Sequence, residues 1–235
     1  MKVVSAHQPH FLPWLGYFNK VYRSDVFIWL EDVQFRKNYF QNRTKIKSNS
    51  GELWLSVSVK KAPLETNINE IEIALKKDLV KASKTLRTYY SKAKHFKSCF
   101  PKIEEILLQD YKSLNDLNYD LFKLVLNMLD IDTQIIKSTD LIDEPFEDPN
   151  IRLLAMCKAA KATHYIAGKG GRNYMNEEAF TEKGIDILWQ EFPASTIIYE
   201  QLHGEFIGGL SILDALFNMG VDKTKELIST PWQER

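Results

Sequence analysis

The sequence predicts an α/β fold with a largely parallel sheet and an inserted helical lobe. Two patterns support this. Short apolar runs of strand length alternate with helix-length amphipathic segments near both ends of the chain. Between them, from about residue 78 to 131, apolar residues recur only at helical spacing.

The elements follow in order. VVSAHQ (3–8) is the opening strand, and LGYFNKVYRS (15–24) is the helix after it. DVFIWLEDV (25–33) has an unbroken apolar centre and is expected as a buried strand, and LWLSVSV (53–59) as another. The helical lobe then shows in Leu79, Leu86, Tyr89 and Tyr90, in Ile103, Ile106 and Leu107, and in Leu114, Leu117, Leu121, Leu124, Val125 and Leu129. Alternation resumes with the strand TQIIKS (133–138) and the helix IRLLAMCKAAKA (151–162), capped by Asp148 or Asn150. The strand THYIAG (163–168), the helix EEAFTEKG (177–184) and the strand IDILWQEF (185–192) complete it. A last apolar helix, LSILDALFNMG (210–220), ends at Gly220 as its C-cap. Without a repeat, low-complexity tract or linker, the chain is expected to be one domain, 1–235, mainly helical at about 78–131.

Composition narrows the function. At 235 residues the chain can bury a core without disulfides or metals. Its 31 Lys plus Arg balance 31 Asp plus Glu, so no overall field draws it to nucleic acid or an anionic membrane. Cys99 and Cys157 are too few for a secreted disulfide framework and are expected as buried thiols, Cys157 packing with Leu153, Leu154 and Met156. No segment approaches the roughly 18 apolar residues of a membrane span, and no signal-peptide core is present, so a cytoplasmic protein without membrane insertion is expected.

Four loops could carry chemistry, because α/β ligands collect at the carboxyl ends of strands. The first, HQPHFLPW, exceeds what a connection needs. His7 and His10 border a strand-to-helix junction, with Gln8 and Trp14 beside them, and such a pair could stabilise phosphate charge or move a proton. In the second, Asp32 and Gln34 fall at the expected end of DVFIWLEDV, ahead of the basic run that contains Arg43, whose guanidinium could fork onto a phosphate or carboxylate. His7, Gln8, Asp32, Gln34 and Arg43 are therefore expected to line one pocket. The third, IAGKGGRNYM, sets Gly168, Gly170 and Gly171 after a strand, where bare backbone amides could form an anion nest with charge added by Arg172. The fourth holds His203, a further catalytic base by residue type. No histidine or cysteine cluster completes a zinc ligand set, and no Gly-x-Ser-x-Gly elbow is present, which disfavours covalent hydrolase chemistry.

The blocks HQPHFLPWLGYFNK, SDVFIWLEDVQFRKNYFQNRTKIK, YIAGKGGRNYM and LSILDALFNMG, in this order and over nearly the whole chain, resemble the WbqC family. His10 departs from the small polar residue, such as asparagine, expected there, so the resemblance implies a role for His7 and Gln8 more than for His10. It implies an enzyme of bacterial surface-polysaccharide synthesis that transfers a glycine-type aminoacyl or acyl group to a nucleotide-linked amino sugar, forming an amide. The donor partner it implies is an aminoacyl or acyl compound, charged tRNA being one form. That chemistry needs a base for the amine, donors for the oxyanion and a cradle for phosphates, with His7, Asp32 and His203 as the catalytic candidates. SAHQPHFLPWLGYF followed by DVFIWLEDVQF is also similar in layout to the opening of HIGH-type nucleotidyltransferases. That likeness implies a Rossmann-like sheet and, as cofactor, ATP with magnesium. A non-catalytic sugar-nucleotide-binding protein is the alternative outside enzymes.

Overall fold

The computed structural model describes residues 1–142, 146, 148–193 and 197–231. Its elements run β1 (Val3–His7), α1 (Leu15–Tyr22), β2 (Val26–Trp29), β3 (Arg43–Ser48), β4 (Gly51–Ser56), α2 (Lys76–Tyr90), α3 (Phe96–Leu107) and α4 (Leu114–Met128). They continue with β5 (Gln134–Lys137), α5 (Ser138–Leu141), α6 (Pro149–Ala159), β6 (His164–Ala167), α7 (Glu177–Thr181), β7 (Asp186–Trp189), α8 (Ile212–Met219) and α9 (Val221–Ser229).

Five strands form an all-parallel sheet in the order β5-β2-β1-β6-β7. β2, VFIW, is buried along its whole length because both faces of the sheet are covered. Phe27 and Trp29 face the helical lobe and join Phe18, Phe122 and Leu216 in the larger core. Val26 and Ile28 point the other way, onto Leu153, Met156 and Cys157 of α6 and Phe180 of α7. Both cysteines are buried, and burial pushes the Cys157 thiol up to about 12. Asp148 caps α6 as anticipated, accepting from the amides of Asn150 and Ile151.

Three features differ from the sequence expectation. The strand expected over 25–33 stops at Trp29, where Glu31 N turns back to Trp29 O. Glu31 is buried beyond it, accepting from Asn115 Nδ2 at 2.6 Å and Thr139 Oγ1 at 2.7 Å. The LWLSVSV run does not enter the parallel sheet. Its β4 pairs antiparallel with β3 across Asn49–Ser50, since a two-residue connection permits only a hairpin and a parallel neighbour needs a crossover of about a dozen residues or more. α9 is the third. The chain turns at Gly220, with φ +82 and His95 Nδ1 only 2.7 Å from where a Cβ would stand, and continues as a helix packed on α1. Asn19 Nδ2 ties the two by donating to Ile228 O at 2.6 Å.

Topology positions the site. From β1 the chain steps outward through β2 to β5, then returns to the other side of β1 and continues through β6 to β7. The crevice above the carboxyl ends of β1 and β6 is therefore the point where strand order reverses, the usual ligand position in open α/β sheets.

A histidine and lysine cavity at the switch point

A cavity of about 620 Å³ opens at that crevice, lined by the loop after β1, by Arg36, Tyr39 and Phe40, by Lys20, and by the glycine turn after β6. The loop after β1 is pinned to the segment 40–44. Phe11 N donates to Phe40 O at 2.8 Å, Thr44 Oγ1 to Leu12 O at 3.0 Å, and Gln41 Nε2 to Gln8 Oε1 at 2.8 Å. Gly16 admits the Trp14 indole over the first turn of α1, where a Cβ would meet the ring at 2.2 Å. The loop's length thus serves to lay His7 and His10 on the cavity wall.

His7 Nδ1 lies 3.0 Å from Gln8 O. A carbonyl only accepts, so Nδ1 carries the proton and the Nε2 lone pair is free. The rings of His7 and His10 meet edge-on at 4.6 Å. His10 is 5% exposed, and neither of its nitrogens has a hydrogen-bond partner. Lys20 is also 5% exposed, and among the described residues no group accepts from its ammonium. Burial, then the Lys20 charge, lowers His7 to about 3 against the favourable pull of Gln8 O. Burial, then His7 and Lys20, holds His10 well below the usual histidine value. Burial alone lowers Lys20 to about 8. At neutral pH the wall therefore holds two neutral imidazoles, one buried ammonium and the exposed Arg36 guanidinium, and no described carboxylate lines the cavity. Unpaired buried polar groups are costly, and an anion that accepted from Lys20 and from the His10 N–H would offset that cost.

His7, Gln8, His10, Trp14, Gly168, Gly170 and Gly171 of the expected residues line this cavity; Asp32, Gln34, Arg43, Arg172 and His203 do not. Asp32 accepts from Ser138 Oγ and pairs with Arg152, because the strand ends before it and the chain has turned aside. Gln34 donates to Leu64 O at 2.8 Å. Arg43 begins the hairpin, away from the parallel sheet, with its guanidinium 4.0 Å over the Trp54 ring. Arg172 stacks 4.7 Å over Trp189 and reaches Glu191 at 3.2 Å. His203 is exposed at φ +64 and its Nε2 is bonded to Tyr89 O at 2.8 Å, so that nitrogen is a donor. The expected five-residue pocket thus reduces to His7 and Gln8.

The glycine turn also differs from the nest expected. Gly168, Gly170 and Gly171 are not among the positive-φ residues, and the turn is a 3₁₀ segment over Lys169–Asn173. Its glycines serve space instead: a Cβ at Gly168 would stand 3.3 Å from Lys20 Nζ, and one at Gly171 would strike Met175 Sδ at 2.8 Å. Lys20 is the residue sequence reasoning passed over. The available signal was that LGYFNKVY carries no charged face, so its one lysine sits among residues that are buried.

A second groove of about 620 Å³ runs beside the lobe, rich in acids. Three of its acids are already engaged, Glu72 by Lys60 and Lys112, Asp110 by Lys76, and Asp120 by the Tyr111 hydroxyl. Among the described residues no cluster of three or more His, Cys, Asp or Glu could hold a metal ion, and no helix is long and apolar enough to cross a membrane.

Comparison with known proteins places residues 8–226 in a match to the WbqC-like protein family. A Mycobacterium tuberculosis protein, "Uncharacterized protein Rv1507c", is 34% identical over 225 residues, spanning 94% of this chain and 96% of the relative. No solved structure matches the chain significantly.

Proposed function

The chain belongs to the WbqC-like protein family, and we propose that it is a group-transfer enzyme whose substrate is nucleotide-linked, its phosphates lying against His10 and Lys20. The observation that carries this is the buried pair His10 and Lys20, whose side-chain nitrogens have no partner among the described residues, beside His7 at an open cavity at the switch point. Such a pair is unfavourable without a ligand and suited to an anion.

The reaction favoured is transfer of an acyl or aminoacyl group to the amine of an amino-sugar nucleotide. The amine nitrogen attacks the activated carbonyl carbon, the C–N bond forms and the bond to the donor's leaving group breaks. His7 Nε2 accepts the proton the amine sheds and returns it to the leaving group. The Lys20 ammonium and the His10 N–H supply the charge stabilisation that anionic oxygen needs in a water-poor site.

A second reading, ATP-dependent nucleotidyl transfer or ligation, is favoured by the sheet order. Numbering only the parallel strands, it is third-second-first-fourth-fifth, with the histidine pair directly behind the first. The described lining, which has no carboxylate, does not fit a protein-held magnesium ion, so no step is assigned to one.

The test supplies a 4-amino-sugar nucleotide with glycine-type donors, with and without ATP. Amide product without pyrophosphate release supports acyl transfer. Pyrophosphate release that requires the second substrate favours the other enzyme. Tight binding with no turnover of either kind would contradict both and leave a sugar-nucleotide-binding protein.

A further inference from the structure

The cavity wall changes character along its length. At one end Lys20 lies under the bare backbone of Gly168, 3.3 Å from where a side chain would begin. His7 follows, then His10 at 4.6 Å between ring centres, then Phe40 stacked on His10 at 5.5 Å. Tyr39 closes the series, edge-on to Phe40 at 5.4 Å and to His10 at 6.1 Å. Its ring is braced by those neighbours yet 43% exposed, and Arg36 lines the cavity beside it. A buried ammonium end thus grades into an aromatic one, where the only cation among the described lining residues is the exposed Arg36 guanidinium.

We infer that this polarity orients a nucleoside diphosphate in one direction only, the diphosphate at Lys20 and Gly168 and the base stacked on Tyr39 at the mouth. The inference rests on the proposal that the substrate is nucleotide-linked, and it adds the residue that recognises the base end. A phosphate needs donors and cations, which the Lys20 end supplies. A base needs a flat apolar face that is held still but reachable, and a braced, partly exposed tyrosine provides it at small entropic cost. Arg36, as a guanidinium, can cover the other face of the base. Tyr174, also exposed on the lining, follows the glycine turn at the ammonium end and is the alternative platform.

Calorimetric titration of the full chain with inorganic diphosphate, uridine diphosphate and adenosine diphosphate tests this. The unmodified protein should bind the nucleoside diphosphates roughly tenfold or more tightly than inorganic diphosphate, the usual worth of one stacked base. Tyr39→Ala should abolish that advantage and leave inorganic diphosphate binding within about twofold, while Tyr39→Phe should keep it. Lys20→Met should weaken all three ligands. Unchanged nucleoside diphosphate affinity in Tyr39→Ala, or transfer of the loss to Tyr174→Ala, would overturn the orientation while phosphate binding stood. Failure of the unmodified protein to bind any of the three would instead overturn the nucleotide reading itself.

Discussion

Replacing Lys20 with methionine should make the protein more stable and at the same time useless for anions. The folded environment lowers this ammonium from 10.5 to about 8, through burial. The difference of about 2.5 in pKa corresponds to about 3 kcal/mol of strain borne by the folded state while the amine is charged. The sign follows from proton counting. Below pH 8 both folded and unfolded chains hold the proton, and the folded one carries the full desolvation cost. Between pH 8 and 10.5 the folded chain releases a proton that the unfolded chain keeps, so this contribution to stability rises with pH. Methionine is near in length and carries no charge, so Lys20→Met should gain roughly 2–3 kcal/mol at pH 7, and the gap to the unmodified protein should shrink by pH 10. Urea unfolding of both proteins at the two pH values measures it, and the comparison cancels every other titrating group. A variant no more stable than the parent at pH 7, with the same gap at pH 10, would mean the ammonium is already satisfied, and the argument for an anion there would fall.

Other substitutions separate chemistry from packing. His7→Ala should lower turnover by roughly 100-fold or more, as losing an acid–base or charge-stabilising group does, and His10→Asn far less; equal losses, or a rise in KM alone, would make His7 a binding residue. Cys157→Ala should leave turnover within a few-fold, because the thiol is buried among Val4, Val26 and Leu153 and faces no substrate; a folded but inactive variant would reverse that assignment. Gly171→Val should lower the melting temperature, since the added carbons meet Met175 and Trp189 and overpacking costs about 1–3 kcal/mol. An unchanged melting temperature would show that the turn has room to spare.

The alternation of strand and helix was legible because periodicity reports burial directly. VFIW needed no neighbours to be read as a two-sided strand, and LSILDALFNM none to be read as a buried helix. The switch point follows from where β6 inserts, a long-range choice that local pattern does not contain. Asp32, Gln34 and Arg43 miss the site because the placement of each rests on extrapolating sheet structure past where it ends. Asp32 and Gln34 were assigned by extending a strand four residues past Trp29, and Arg43 by assuming that the next strand joins the same sheet. Each error moves a side chain off the shared edge. His7, Gln8 and the glycine turn were placed well because each directly follows a strand, where no extrapolation is needed. Lys20 escapes the local pattern for the opposite reason: a lysine on a helix is ordinarily solvated, and here the glycine turn after β6 and the loop after β1 close over it.

The most direct measurement is a crystal structure of the protein with a nucleoside-diphosphate sugar bound. The account predicts phosphate oxygens within hydrogen-bonding distance of Lys20 Nζ and of a His10 ring nitrogen, under the Gly168 backbone. A ligand seated in the acidic groove of Glu72 and Asp120, with His10 still unpartnered, would contradict it.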